Sequence, residues 1–248
     1  MRVLILAAGY ATRLYPLTLN QPKPLLPIAG RPILEHILDR VRSLDGPVEC
    51  LIVTNHRFAE AFEEWGQRYR ANRPGLDLKI VDDGSISEAD RLGAIGDLAF
   101  VIEAEKISEE LLVIAGDNLF DAPLDDFVAY GRKTGNPVVG VYDVGDWEAI
   151  RRYNNIRLDG EGRIVFFEEK PKNPEGTLTA IALYYFTSET WAHLRQYLAE
   201  AESRDQPGRF IEWLYRRHPV FSWRLPGRWF DIGDFQMLEQ ADRAFVEG

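Results

Sequence analysis

Cysteine is nearly absent from this sequence, and long apolar runs are absent altogether. Cys50 is the only cysteine among 248 residues, so no disulfide can form within the chain, and we expect a cytoplasmic setting. No apolar run is long enough to span a bilayer. The run RVLILAAG after Met1 lacks the polar region of a secretion signal, so we expect it to form a buried strand.

Acidic residues are missing from residues 1–34, although the chain as a whole is acidic. It carries 39 acidic and 29 basic side chains, a formal net charge of -10. An even spread would place roughly five acids in that stretch. The stretch instead holds Arg2, Arg13, Lys23 and Arg31. The overall acidity argues against nucleic acid or a membrane surface as a partner, and the local basic segment favours a small anionic ligand.

The common glycine-rich phosphate motifs are missing from the end of the first apolar run. The pattern GxxxxGK[ST] does not occur there, and Tyr10, Ala11 and Thr12 interrupt GxGxxG. The missing GxGxxG argues against a dinucleotide-dependent dehydrogenase. The segment AAGYATRL still has small residues that let a ligand approach the backbone, and free N–H groups after a strand can bind phosphate. The alternative is an ordinary turn after a strand.

Short apolar runs alternate with longer amphipathic segments through the first 150 residues. Nearly all-apolar strands between helices predict an α/β fold of Rossmann-like type, in which helices flank a mostly parallel sheet. In such folds ligands bind beyond the carboxyl ends of the strands. The predicted strands are residues 3–8, 48–55, 78–82, 111–116 and 137–144, and the predicted helices are residues 31–44, 58–70 and 93–107.

The pattern changes after about residue 150, where a small α+β portion is expected. Residues 155–169 predict a hairpin and residues 178–186 a strand. Residues 188–202 predict a helix with Thr187 or Ser188 as its N-cap. A strand and loop at 220–234 and a helix at 234–247 complete the prediction. No linker separates these segments, so we predict one domain over residues 1–248.

Two cations in the acid-free segment are candidates for binding phosphate. Prolines on both sides of Lys23, in QPKPLLP, restrict the backbone and would hold its ammonium group in place. Arg13 offers a planar fork that matches phosphate oxygens. The alternative is a rigid surface loop with solvated charges.

Two aspartates are candidates for binding a metal ion. Asp117 follows a predicted buried strand in LLVIAGDN, and Asp231 lies in GRWFDIGD. Carboxylates from distant segments suit Mg²⁺, which takes few protein ligands and also binds water and phosphate oxygens. The alternative for each is a helix cap or a turn residue. The four histidines show no metal-ligand spacing.

A third charged cluster lies in FFEEKP, where Pro171 stops a predicted strand. Glu169 and Lys170 can share a face only if the strand ends between them, because adjacent strand residues point in opposite directions. The alternative is a solvated charge run at a sheet edge.

Taken together, these segments resemble the sugar-phosphate nucleotidyltransferases, the family of the glucose-1-phosphate thymidylyltransferases. The matching segments follow the family's order along nearly the whole chain. They are LAAGYATRLYPLTLNQPKPLLPIAGRPIL, LGAIGDL, GDN, FEEKP and WFDIGD. The resemblance implies Mg²⁺-dependent transfer of a nucleotidyl group from a nucleoside triphosphate to a sugar-1-phosphate, with release of pyrophosphate.

The resemblance also implies roles for particular residues. It divides the domain into a nucleotide-binding portion, residues 1–150, and a sugar-phosphate-binding portion, residues 151–248. The implied catalytic residues are Arg13, Lys23 and Lys170, and the implied metal ligands are Asp117 and Asp231. The implied nucleotide-binding residues are Ala7, Ala8, Gly9, Tyr10, Ala11, Thr12, Asp82 and Gly93, and the implied sugar-phosphate-binding residues are Asn154, Glu169, Lys170 and Tyr184.

The sequence departs from the family pattern in the base and sugar regions. Asn154 and Ala182 stand where the family usually has glycine, and Asn154 could keep a left-handed turn. Asp82 or Asp83 stands where thymidylyl enzymes have glutamine. A carboxylate only accepts hydrogen bonds. It could accept from the N3–H of uracil or thymine, from the amino group of cytosine, or from the N1–H and amino group of guanine, so the sequence leaves these four bases open.

Two other functions remain compatible with these residues. One is a cytidylyltransferase that acts on a non-sugar phosphate such as phosphocholine, whose cation the ten tyrosines and six tryptophans could surround. The other is a regulatory protein that binds nucleotide without turnover. A homo-oligomer is also possible.

Overall fold

A seven-stranded sheet forms the centre of the protein in the computed structural model, which describes residues 1–201 and 203–247. The strands are β1 (Arg2–Leu6), β2 (Pro27–Ile28), β3 (Arg31–Pro32), β4 (Glu49–Thr54), β5 (Asp77–Asp82), β6 (Leu111–Ala115), β7 (Asn118–Phe120), β8 (Val138–Asp143), β9 (Asn154–Leu158), β10 (Ile164–Glu169), β11 (Leu178–Phe186), β12 (Phe221–Arg224) and β13 (Trp229–Asp231). The helices are α1 (Ile33–Arg42), α2 (His56–Asn72), α3 (Ala94–Ala104), α4 (Asp125–Thr134), α5 (Trp147–Ile150), α6 (Thr190–Glu200), α7 (Pro207–Tyr215) and α8 (Phe235–Glu247).

The central sheet is mostly parallel, as the sequence predicted. Its order is β12-β8-β11-β6-β1-β4-β5. Strands β5, β4, β1 and β6 pair in parallel, and β12 pairs in parallel with β8. Only β11 runs the other way, between β6 and β8. The carboxyl ends of β1, β4, β5 and β6 therefore meet at one edge, and their loops build a common surface there.

Helices cover both faces of this sheet, which is why its strands are almost wholly apolar. Along β1, Val3 and Ile5 pack into one core cluster with residues of α1 and α2, whereas Leu4 packs into a second cluster with residues of α3, α6 and α7. All three are completely buried. A strand buried on both faces needs no polar side, so the apolar run RVLIL encodes a central strand. No helix in the described residues is long and apolar enough to cross a membrane.

The segment after residue 150 returns to the central sheet. Strands β9 and β10 form the predicted antiparallel hairpin, and Gly162 in its turn has φ +81°. Strand β11 then enters the middle of the sheet, beside β6 and β8. The residues after 150 therefore share a core with the residues before it.

The predicted cap of α6 is wrong. The helix begins at Thr190, and neither Thr187 nor Ser188 caps it, because the position before the helix is Glu189. The hydroxyl groups of Thr187 and Thr190 instead form a buried hydrogen bond with each other at 3.2 Å. The Thr187 hydroxyl group therefore pairs with the Thr190 side chain, whereas a capping residue would pair with a backbone N–H group at the start of the helix.

Candidate active site

One large cavity opens at the carboxyl ends of the parallel strands β1 and β6, and its volume is about 530 Å³. This edge is where ligands bind in parallel α/β sheets, because the loops after the strands meet there. The cavity is lined by every candidate residue except Asp82, namely by Ala7, Ala8, Gly9, Tyr10, Ala11, Thr12, Arg13, Lys23, Gly93, Asp117, Asn154, Glu169, Lys170, Tyr184 and Asp231.

The loop after β1 lines this cavity and carries backbone N–H groups that have no partner in the described residues. Asn55 holds the loop at its start, because its side-chain amide donates to the Ala8 carbonyl at 2.8 Å. Ala11 then takes a left-handed conformation with φ +49°, which costs an L-residue about 1–2 kcal/mol. In the described part of the chain, no acceptor is paired with the N–H groups of residues 8–12. Their arrangement at a cavity suits an anionic group such as a phosphate.

Lys23 is fixed beside the first carboxylate. Its Nζ lies 2.6 Å from Asp117 Oδ2 and donates to the Ile232 carbonyl at 2.8 Å. Its side chain is 14% exposed. Pro24 packs against Gly116, where a Cβ atom would lie only 3.0 Å from the proline ring and from the Leu6 carbonyl. Glycine at 116 thus permits the close approach that carries Lys23 to the end of β6.

A short antiparallel pair of strands brings the two aspartates together. In the pairing of β7 with β13, Asp231 lies opposite Asn118, and the Ile232 N–H donates to the Asp117 carbonyl at 3.2 Å. Burial is the main cause that raises the pKa of Asp231, and the nearby Asp117 carboxylate raises it further. Lys23 and Arg13 act in the opposite direction. The site is therefore an acidic pair that is partly neutralised by two cations.

Asp117 and Asp231 fit a Mg²⁺ ion that also binds substrate. Mg²⁺ in phosphate-transfer sites commonly takes one or two carboxylates, and waters and phosphate oxygens complete its ligands. Within residues 1–201 and 203–247, no three His, Cys, Asp or Glu side chains are grouped so that they could hold a metal by themselves. The partly buried, incompletely neutralised carboxylate pair suits an ion whose remaining ligands come from substrate and water.

The lining of the same cavity includes Glu169 and Lys170. Strand β10 ends at Glu169, and Lys170 follows with φ +49° while its N–H donates to the Tyr153 carbonyl at 2.8 Å. Both side chains line the cavity because the strand ends between them. Burial raises the pKa of Glu169, although Lys170 and Arg209 oppose that shift. A carboxylate and an ammonium group thus line the same space. This arrangement suits a ligand that carries both hydroxyl groups and a phosphate.

Gly208 in the first turn of α7 leaves room for the Glu169 carboxylate. A Cβ atom at position 208 would lie within van der Waals overlap of Glu169 Oε2. We expect Gly208→Ala to displace Glu169. In the reaction that the family resemblance implies, it should raise KM for the phosphate acceptor by about tenfold or more and leave KM for the triphosphate unchanged. Steady-state kinetics with each substrate varied in turn would measure this. Gly160→Ala is the matched control because nothing lies within 4 Å of its Cβ position. A change in KM for both substrates would contradict the assignment.

Asn154 has a structural task that the sequence did not reveal. It is the first residue of β9 and is not among the residues with positive φ, so the expected left-handed turn is absent. Its Nδ2 donates to the Ala180 carbonyl at 2.9 Å, and its Oδ1 accepts from the Ala180 N–H at 2.7 Å. Asn154 thereby fastens β9 to β11 and forms part of the cavity wall.

Asn154→Asp is expected to destabilise the fold by about 2–3 kcal/mol. The side chain is only 8% exposed, and the substitution replaces a donor to the Ala180 carbonyl with a second acceptor. Urea unfolding at neutral pH would measure the loss. Asn173→Asp, at an exposed position, should leave the free energy of unfolding nearly unchanged. Equal stability of the two variants would contradict the role of Asn154.

The loop after β5 places its two aspartates differently. Asp82 is exposed, pairs with His56 Nδ1 at 2.6 Å and lies outside the cavity lining. Asp83 is buried and accepts from both the N–H and the hydroxyl of Ser85 at 2.7 Å. Next to Asp83 lies Asp97, a cavity-lining residue in the first turn of α3 that sequence reasoning missed. A lone acid in the otherwise apolar first turn GAIGDL was the signal that could have found it.

Gly93 lines the cavity directly before the start of α3. It has φ +77°, and a Cβ atom there would lie 2.7 Å from the Arg204 carbonyl. The Ile95 N–H donates to that same carbonyl at 2.9 Å, so the start of α3 packs directly on the segment before α7. Glycine is needed at 93 for both its backbone conformation and this contact.

Comparison with known proteins finds relatives whose sequences match nearly the whole chain. The family model described as nucleotidyl transferase matches residues 2–247. The chain is 28% identical over 234 residues to the bifunctional protein GlmU of Methanocaldococcus jannaschii, and this match covers 94% of the chain but only 51% of that protein. It is 30% identical over 236 residues to the mannose-1-phosphate guanylyltransferase catalytic subunit beta of Danio rerio, covering 94% of the chain and 61% of that protein. The chain thus spans about half to three fifths of the length of these relatives.

The fold is also shared with solved structures. A crystal structure of UDP-glucose pyrophosphorylase complexed with UDP-glucose superposes with a TM-score of 0.82 and 21% sequence identity. That match covers 99% of this chain and 98% of the other. The described part of the chain therefore has a known fold.

Proposed function

The chain belongs to the nucleotidyl transferase family, and we propose that it transfers a nucleotidyl group from a nucleoside triphosphate to a sugar-1-phosphate. One observation carries this proposal. A single cavity is lined by residues 8–12, by the Lys23–Asp117 pair with Asp231 beside it, and by Glu169 and Lys170. These are the groups needed to hold two phosphorylated substrates against each other.

The donor half of the site would bind the triphosphate. The N–H groups of the loop after β1 would bind phosphate oxygens, and Arg13 would neutralise the charge that develops on the departing pyrophosphate. Lys23 would lie beside the α-phosphate, because its ammonium group is fixed between the Asp117 carboxylate and the Ile232 carbonyl. A cation that is already in place costs little reorganisation as the transition state forms.

The acceptor half of the site would orient the sugar-1-phosphate. Lys170 would bind its phosphate and Glu169 would accept from its hydroxyl groups, so that one phosphate oxygen faces the α-phosphorus. A bond forms between that oxygen and the α-phosphorus as the bond from the α-phosphorus to the bridging oxygen breaks, and pyrophosphate leaves. Such transfer depends mainly on positioning and charge neutralisation. Mg²⁺ held by Asp117 and Asp231 would supply further neutralisation of the phosphates.

The relatives leave the base open. One of them is named as a guanylyltransferase, and a structure of the same fold contains UDP-glucose. The family therefore accommodates a purine in one protein and a pyrimidine in another, and the choice must depend on the residues around the base.

Pyrophosphate release measures the proposed reaction. We expect it with Mg²⁺ and at least one pair from a panel of nucleoside triphosphates and sugar-1-phosphates. Phosphocholine belongs in the panel, because Tyr153 and Trp229 line the cavity and could contact a quaternary ammonium group. If pyrophosphate is released with phosphocholine and with none of the sugar-1-phosphates, the acceptor is phosphocholine and not a sugar phosphate. Nucleotide binding without release from any pair would favour a regulatory protein and contradict the proposal.

A further inference from the structure

Two buried side chains hold the loop after β1 by its carbonyl groups. The side-chain amide of Asn55 donates to the Ala8 carbonyl at 2.8 Å. The hydroxyl group of Thr18 donates to the Ala11 carbonyl, also at 2.8 Å. Asn55 is completely buried and Thr18 is 1% exposed, so water has little access to either donor. The loop is thus fixed near both of its ends.

These two bonds also set the direction of two N–H groups. In a trans peptide, a carbonyl and the N–H of the next residue point in opposite directions. The peptide bond after Ala11 is trans, so the Thr12 N–H points away from the Thr18 hydroxyl group. The same argument turns the Gly9 N–H away from the buried amide of Asn55. Gly9 and Thr12 are exposed and line the cavity, and neither N–H has a partner in the described residues.

Ala11, which accepts from Thr18, has an unfavourable backbone conformation. Its φ of +49° is left-handed, which is costly for a residue with a Cβ atom. Its carbonyl also accepts from the Leu14 N–H at 3.0 Å, and this bond closes the short turn that carries Arg13. Thr18 therefore adds a second hydrogen bond to the one conformation that keeps this turn in place.

We propose that Thr18 is a positioning residue for the triphosphate, because its hydroxyl group keeps Ala11 left-handed and so directs the Thr12 N–H at a phosphate. The inference rests on the proposed function, since it concerns the loop that would bind the triphosphate. Thr18 itself is buried and is not among the residues that line the cavity. Its effect on binding therefore passes through the carbonyl of Ala11.

The size of the effect follows from the populations of the loop. Without the hydroxyl group, the left-handed conformation loses a hydrogen bond while its cost for alanine remains. If the competent conformation falls to about a tenth of the molecules, the apparent Kd for the triphosphate rises about tenfold. The affinity for the sugar-1-phosphate should not change, because its proposed ligands Glu169 and Lys170 lie on another segment, at the end of β10.

Thr18→Val removes the donor and nearly keeps the shape of the side chain. Calorimetry with Mg²⁺ and without any acceptor would compare GTP, ATP, CTP, UTP and dTTP. We expect Thr18→Val to weaken every triphosphate that the wild-type protein binds by the same factor of about tenfold, because all of them carry the same phosphates. Thr18→Ser keeps the hydroxyl group and should bind them within about threefold of the wild type.

A second substitution distinguishes positioning from general support of the fold. Glycine adopts a left-handed conformation about as readily as a right-handed one, so with Ala11→Gly the loop no longer depends on the hydroxyl group. In that background, Thr18→Val should weaken triphosphate binding by less than about threefold. A residue that only supports the fold would cause the same loss in both backgrounds.

Thr134→Val is the matched control. The Thr134 hydroxyl group likewise donates to a backbone carbonyl, that of Gly131 at 3.0 Å. Thr134 lies at the end of α4 and does not line the cavity, so its loss should leave every triphosphate affinity unchanged.

Hydrogen exchange at the Leu14 amide tests the same link without a ligand. Leu14 donates to the Ala11 carbonyl that Thr18 also binds, so its protection reports whether the turn is held. We expect Thr18→Val to speed this exchange about tenfold and Thr134→Val to leave it unchanged.

The outcomes separate the inference from the function on which it rests. Triphosphate binding by Thr18→Val as tight as in the wild type, or an equal loss in the Ala11→Gly background, would overturn the positioning role and leave nucleotidyl transfer intact. Unchanged exchange at Leu14 would overturn it whether or not any triphosphate binds. A wild-type protein that binds none of the five triphosphates would contradict the proposed function itself.

Discussion

Lys23→Ala is expected to lower kcat/KM for nucleotidyl transfer by about a thousandfold. The ammonium group of Lys23 lies 2.6 Å from Asp117 Oδ2 and is 14% exposed, so few water molecules could replace it in the variant. The proposed reaction builds charge around the α-phosphorus in the cavity where Lys23 is fixed. Removing a preorganised charge from such a site lowers the rate far more than it lowers ground-state binding. Measuring kcat and KM for both substrates would give the loss.

The same substitution should have a modest effect on the fold. It breaks one ion pair and one hydrogen bond to the Ile232 carbonyl, which we expect to cost about 1–2 kcal/mol of unfolding free energy. Lys79→Ala is the matched control, because Lys79 pairs with Glu105 on the surface, away from the cavity. A Lys23→Ala variant that remains folded and keeps more than about a tenth of the wild-type activity would contradict the role given to this residue.

Asp231→Asn should abolish most activity and at the same time stabilise the protein in the absence of metal. The Asp231 carboxylate is partly buried close to Asp117, and both its loss of solvent and that neighbour disfavour its charge. Asparagine has nearly the same shape without the charge, so we expect the free energy of unfolding to rise by about 1 kcal/mol in EDTA. We expect kcat/KM with Mg²⁺ to fall by about a thousandfold, because the substitution removes a carboxylate that we propose to bind the metal ion.

Opposite changes in stability and activity distinguish a functional carboxylate from a structural one. Thermal unfolding in EDTA and pyrophosphate release with Mg²⁺ would measure the two effects on the same preparation. Asp234→Asn is the matched control three residues further along. Asp234 accepts from the Met237 N–H at 2.9 Å at the start of α8, and asparagine can keep that contact. Lower stability of Asp231→Asn in EDTA would show that the carboxylate supports the fold.

The central sheet could be predicted from the sequence because its strands are buried on both faces. Val3, Leu4 and Ile5 form an uninterrupted apolar run, and helices cover them from both sides. The order of elements then determined which strand ends meet, and every candidate residue except Asp82 lines one cavity. Lys23 could be identified because prolines restrict its backbone next to a strand end.

Contacts between distant segments could not be predicted in the same way. The pairing of β7 with β13 brings Asp231 beside Asp117, yet the two strands are short and more than a hundred residues apart. Asn154 was assigned to a turn, but its hydrogen bonds to the Ala180 backbone place it in a strand. Asp97 could not be identified as a site residue from the sequence, because a single acid on an apolar helix becomes informative only once the fold places Asp83 next to it.

A triphosphate radiolabelled at its α-phosphorus tests the central claim most directly. The labelled triphosphate is incubated with the protein, Mg²⁺ and a sugar-1-phosphate, and the products are separated by chromatography. The account predicts that the label moves into a nucleotide sugar while unlabelled pyrophosphate forms in equal amount. Label that stays in the triphosphate, or that appears as a free nucleoside monophosphate whether or not the sugar phosphate is present, would contradict it.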